Sequence, residues 1–154
     1  HVFGRAYPLQ VLLGPRDEAG ISSGGELQLV LRTKQSEREK VFKAGMKRIL
    51  LWEIARQLEI WTKRMAIPES RITGVTIRVM KSRWGSCRRV TGRFSFALDL
   101  VTKPKECIEA VVVHELCHLF AAGHGPDFYA RMETYLPDYK ERDRLLSSLP
   151  RELI

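Results

Sequence analysis

The chain has 154 residues, 44% of them apolar and 29% charged, and a formal net charge of +8. That is enough for one domain with a real core, and no apolar run approaches the roughly 18 residues of a membrane span. The composition is that of an ordinary globular protein, which excludes low-complexity, fibrous and disulfide-scaffold classes.

The chain begins at His1, not Met, and reads as a single domain over residues 1–154 that lacks some N-terminal sequence. It has no charged-then-apolar leader, so nothing points to secretion. Cys87, Cys107 and Cys117 are odd in number and lack CxxC spacing. They read as reduced thiols of a cytoplasmic protein.

In chain order, residues 7–13 and 26–32 alternate, with Leu9, Val11 and Leu13 matched to Leu27, Leu29 and Leu31. This predicts a hairpin whose loop, 14–25, is rich in Gly and Ser. Ser36 followed by Glu39 is a capping-box signature. It opens a long helix to about Met65, with Phe42, Met46, Ile49, Leu58, Trp61 and Met65 at helical spacing. Val75, Ile77 and Val79 mark a strand, and Phe94, Phe96, Leu98 and Leu100 alternate through a second, half-buried one. Between them, KSRWGSCRRVTG reads as a turn-rich basic loop. Pro104 opens a buried helix that Gly123 is suited to stop. Pro126 opens a helix carrying Phe128, Met132 and Tyr135, and Asp138 with Glu141 caps a short charged last helix. The expected class is α+β, with helices packed against one twisted antiparallel or mixed sheet.

The chemistry is concentrated in HELCHLFAAGHG, residues 114–125, which holds three of the four histidines. His114 and His118, at i and i+4, share one helix face and offer two nitrogens to one tetrahedral Zn²⁺. Glu115 lies about 100° around the helix, where a general base for a metal-activated water belongs. From Ile108 to Ala122 the segment is otherwise almost wholly apolar. A buried carboxylate and two imidazoles need partners there, and a metal supplies one; hydrogen-bonded core histidines are the blander alternative. For a third ligand His124 is favoured over Asp127 and Glu133, because neutral imidazole is the commonest metal ligand. The spacing HExxHxxxxxH is shared with metzincins, but those place glycine where this chain has Ala121.

A second feature is electrostatic. No acidic residue lies between Glu69 and Asp99, while Arg71, Arg78, Lys81, Arg83, Arg88, Arg89 and Arg93 all fall there. Segment 71–93 thus offers either a surface for a nucleic acid or nucleotide or a solvated basic edge.

KSRWGSC (81–87), VVVHELCHL (111–119), HGPDFY (124–129) and LPDYKERDRLL (136–146) together resemble the YgjP-like metal-dependent hydrolases, relatives of the WLM and SprT-type zinc proteases. The resemblance runs from about Gly4 to Leu146. It implies a minimal zincin-like fold, with a twisted sheet against a long helix and a buried HExxH helix, and a cleft lined by an edge strand. It also implies His114, His118 and His124 as zinc ligands and Glu115 as catalytic base. Arg83 and Trp84 of the RWGSC segment are expected on the substrate side.

The leading expectation is a zinc-dependent, metallopeptidase-like hydrolase acting on polypeptide, with no membrane association. The alternatives are a nucleoside triphosphate pyrophosphatase, for which Arg forks suit phosphate oxygens, and a zinc-stapled nucleic-acid-binding module. Against the first stands the lack of a glycine-rich phosphate cradle and of a carboxylate cluster for Mg²⁺. Against the second stands the lack of a fourth ligand to close a structural site.

Overall fold

The computed structural model describes residues 1–35 and 37–151. The fold is mixed α+β, as expected, but its strands divide between two three-stranded sheets. The first contains β1 (Leu9–Leu13), β2 (Glu18–Ile21) and β3 (Leu27–Leu31), in the order β1-β3-β2. The expected hairpin does not form. β1 runs parallel to β3, pairing Leu9 with Leu27 through Leu13 with Leu31, and β2 takes the antiparallel place. Segment 14–25 is long enough to carry a strand of its own and return the chain in its original direction. Leu27, Leu29 and Leu31 are buried, whereas Leu9, Val11 and Leu13 remain about half exposed on the edge strand. Alternation marks a face of a strand, not whether anything covers it.

The cover over β2 and β3 is α1 (Arg38–Arg64). Met46, Leu50, Ile54, Leu58 and Trp61 recur every three or four residues and are all buried, while Phe42 and Ile49 pack at the margin. Gly45 lets α1 approach β2. A Cβ there would stand 2.6 Å from the Ala19 Cβ and closer still to the Ala19 carbonyl. Ser36, the expected cap, lies outside the described residues; Glu37 stands at the helix start without a side-chain capping bond. Glu53, fully buried on α1, accepts an ion pair from Lys105 Nζ at 3.0 Å and so ties α1 to the start of the motif helix.

The second sheet repeats the pattern of the first. β4 (Gly74–Arg78) is parallel to β6 (Arg93–Ala97), and β5 (Gly85–Arg88) is antiparallel to β6 on its other side. Two expectations change here. The basic loop contains β5, joined to β6 by a tight turn in which Gly92 adopts φ 64°. The strand expected to reach Leu100 stops at Ala97 and becomes a 3-10 turn, Leu98–Thr102, all five of whose residues are buried. Its partners give out at that point, since β4 ends opposite Ala97 and β5 opposite Phe96. Backbone groups beyond the ladder are then satisfied by local turns. Val79 lies past the end of β4 and is 59% exposed.

Pro104 immediately precedes α2 (Lys105–Cys117), whose Cys107, Ile108, Val112, Val113, Leu116 and Cys117 have no exposed surface. The helix ends at His118, well before Gly123. Bonds from Leu119 and Phe120 to the carbonyls of Leu116 and Cys117 close it, and Gly123 is not among the residues with positive φ. A turn tightened on the last carbonyls needs no left-handed glycine. α3 (Pro126–Tyr135) buries Phe128 and Met132, and α4 (Tyr139–Ser148) buries Leu146. Asp138 precedes α4 but makes no side-chain cap; its carboxylate accepts from Arg142 Nε at 2.9 Å instead. All three cysteines are free. No described helix is long and apolar enough to cross a membrane.

Candidate metal centre

α2 brings His114 and His118 onto one face, and the 121–125 loop carries His124 back over them. The rings of His114 and His118 lie 5.0 Å apart, and His124 stands 4.9 and 4.8 Å from them. Among the described residues these three form the one cluster with metal-ligand chemistry, and their ligand atoms lie within 4.8 Å of one another. Asp127 and Glu133, the rival third ligands, are outside it; Glu133 is engaged on the surface by Lys140 at 3.0 Å.

The donor set fits a metal ion. His114 Nε2 and His124 Nε2 face each other at 3.0 Å, close to the spacing of about 3.3 Å between two nitrogens of a tetrahedral zinc site. His118 Nδ1 lies 3.1 Å from the Ala121 carbonyl. A carbonyl only accepts, so Nδ1 carries the proton and Nε2 keeps its lone pair toward the cluster. Burial, reinforced by the neighbouring histidines, pushes the pKa of His114 down to about 4. Burial likewise lowers that of His118. Both imidazoles are therefore neutral at neutral pH, the state that ligates.

Phe128, 1% exposed, packs against this cluster, its ring centroid 4.7 to 4.8 Å from those of the three imidazoles. The sequence places Phe128 on the helix opened by Pro126 and within the HGPDFY resemblance, with no role at the site. Its position four residues after His124, in HGPDFY, was the signal available. Tyr129 lies 6.4 Å from His124 and stacks on Tyr139 of α4 at 6.3 Å.

Glu115 is 5% exposed, and its Oε2 has no hydrogen-bond partner among the described residues. Burial lifts its pKa to about 7, while the positive charge of Arg83 works in the opposite direction. A buried carboxylate left without a partner carries a desolvation cost, and such groups cluster where chemistry is done. The side chain rests against Gly85 of β5. A Cβ at Gly85 would stand 2.6 Å from Glu115 Oε1 and 2.7 Å from its Cγ. Gly85 falls in the segment whose sequence reads as a turn-rich basic loop, and no local pattern links position 85 to position 115.

These groups open into a cleft of about 710 Å³ that Arg83, Trp84, Gly85, His114, Glu115 and His124 all line. Both RWGSC residues singled out in the sequence thus border the same space as the histidines. Of the basic segment, Arg83 and Arg89 line the cleft, while Arg78, Arg88 and Arg93 are exposed elsewhere along the sheet.

The sequence pattern of a family described as "YgjP-like, metallopeptidase domain" matches residues 1–149. The crystal structure of the metallopeptidase zymogen of Pyrococcus abyssi abylysin is similar with a TM-score of 0.55 and 22% identity, over 66% of this chain and 99% of that one. The metallopeptidase zymogen of Methanocaldococcus jannaschii jannalysin gives a TM-score of 0.53 and 20% identity, over 61% of this chain and 93% of that one. At such identities the likeness establishes a shared fold. No curated protein matches the chain.

Proposed function

The chain belongs to the YgjP-like metallopeptidase family, and on that premise we propose that it is a zinc-dependent peptidase with Glu115 as general base. The observation that carries this reading is the convergence of three imidazole nitrogens beside a buried, unpartnered Glu115 oxygen at the wall of one cleft. His114, His118 and His124 would hold the ion. Three imidazoles with an open position suit zinc, which when bound polarises a carbonyl and lowers the pKa of water to about 7.

The protein's own groups account for the rest. Glu115, with its proton affinity raised by burial, takes a proton from the attacking water and returns it to the leaving amine. Gly85 leaves the space in which that carboxylate sits. The Ala121 carbonyl fixes the tautomer of His118, and the buried Phe128 ring packs against all three imidazoles. β5 is an edge strand packed on α2, so its outer backbone groups can pair with an extended polypeptide. Arg83 and Trp84 would meet the substrate across the cleft. The nucleotide and zinc-staple readings lack comparable support. The cluster among the described residues has no carboxylate group suited to Mg²⁺ and no fourth ligand to close a structural site.

The test is Glu115→Gln, measured for metal content by elemental analysis and for turnover on unfolded protein substrates. The amide cannot accept a proton. Metal content should therefore match the wild type while kcat falls at least about 100-fold. Wild-type turnover in a metal-replete variant would refute the assignment.

A further inference from the structure

The cleft is larger than the space beside three imidazoles requires. Its volume of about 710 Å³ sits well inside the range of about 300–1,000 Å³ typical of pockets that engulf a ligand. The extra room lies one helical turn before the histidines. Ala110 and Val111, at i−4 and i−3 from His114, continue the same face of α2. They are 8% and 7% exposed and line the cleft, with Leu146 of α4 and Met132 of α3 lining it as well. Ala110 puts only a methyl group into this end of the cleft.

Trp84 lines the same cleft and is held from outside it. The Arg151 guanidinium stacks over its ring at 4.0 Å and donates to the carbonyls of Met80 and Lys81 at 3.3 and 2.7 Å. Lys103 adds a second cation 5.8 Å from the ring, and its Nζ is anchored on the Pro150 carbonyl. The Trp84 carbonyl accepts from Ala97 N at 2.8 Å, which ties the loop to the sheet. An aromatic wall fastened in this way keeps its position when a ligand arrives.

We propose that this part of the cleft is a selectivity pocket for one bulky apolar side chain of the polypeptide, floored by Ala110, Val111 and Leu146 and walled by an Arg151-clamped Trp84. The inference rests on the peptidase reading of the same cleft. The occupant follows from the lining: a charged side chain placed among these apolar groups would be desolvated without a partner. Arg83, Arg89 and Asp143 also line the cleft but are exposed, Asp143 one turn before Leu146 on α4, so they border its open side while Ala110, Val111 and Leu146 are buried.

The experiment measures kcat/KM for peptides that differ only in having Ala, Leu, Phe or Asp next to the cleaved bond. Each peptide is also titrated against the Glu115→Gln protein by calorimetry, which reads binding without turnover. Leu and Phe should exceed Ala by at least about tenfold, the discrimination expected of an apolar pocket, and Asp should be poorest. Ala110→Leu fills the pocket and should cut the Phe-to-Ala ratio at least tenfold. Arg151→Ala frees Trp84 and should lower the same ratio; it carries the test if circular dichroism finds Ala110→Leu unfolded. Selective binding without any hydrolysis would uphold the pocket and overturn the peptidase reading. Hydrolysis with a flat side-chain preference, or with a ratio unmoved by either folded variant, would overturn the pocket.

Discussion

Replacing Gly85 with alanine should displace Glu115, the proposed general base, without touching the histidines. The added Cβ would stand 2.6 Å from Glu115 Oε1, 2.7 Å from Cγ and 2.9 Å from Cδ. An ordinary contact needs about 3.5 Å, so the carboxylate must retreat by about 0.9 Å. The backbone imposes no penalty of its own, because Gly85 is not among the glycines with positive φ. Alanine fits an extended strand, and the shorter list of unfolded conformations even favours it slightly. A misplacement of about 1 Å costs on the order of 100-fold in rate, or about 2.7 kcal/mol of transition-state stabilisation. We therefore expect kcat to fall about 100-fold, with zinc content and far-ultraviolet circular dichroism unchanged. Gly74→Ala is the control, since a Cβ there meets nothing within 4 Å. A second readout needs no turnover at all. Gly85→Ala should lower the melting temperature in the wild-type background but not beside Glu115→Ala, where the clash is gone. A metal-replete Gly85→Ala enzyme with kcat within threefold of the wild type would refute the cradle.

The remaining expectations are simpler. His124→Ala should lose zinc on elemental analysis while Asp127→Ala keeps it, because Asp127 lies outside the cluster; full retention in His124→Ala would strike that residue from the ligand set. Arg83→Ala, at matched zinc content, should cost at least about tenfold in kcat/KM, or about 1.4 kcal/mol. An unchanged value on every cleaved substrate would reduce Arg83 to scaffold. Gly45→Ala drives a methyl group to within 2.6 Å of the Ala19 Cβ and should destabilise the protein by about 1–3 kcal/mol, read from chemical denaturation; an unaltered midpoint would mean that α1 and β2 can separate freely.

How legible each part was in the sequence depended on how local its physics is. The i, i+4 histidines and the adjacent glutamate are fixed by helix geometry, so their side chains could be placed before any fold was known. The long helix was legible for the same reason, through the period of Met46, Leu58 and Trp61. Strand direction was not. Leu9–Leu13 and Leu27–Leu31 alternate alike whether they run parallel or antiparallel, and β2, hidden in the intervening segment, decides between the two. The alternation from Phe94 to Leu100 picked out buried apolar residues correctly but not the half-buried strand it implied, because the chain leaves the sheet at Ala97 and the 3-10 turn buries Asp99 as well. The least legible feature was the join between the two motifs. RWGSC and HELCH each stood out, but only the packing of β5 on α2 sets Gly85 against Glu115. The same holds for Trp84, whose clamp is an arginine near the far end of the chain. The three imidazoles are thus brought together within one helix and the loop that follows it. The position of Glu115, the proposed base, and the wall of the cleft are set by contacts that only the tertiary fold creates, so changes at Gly85 and Arg151 should alter rate and selectivity while leaving metal content intact.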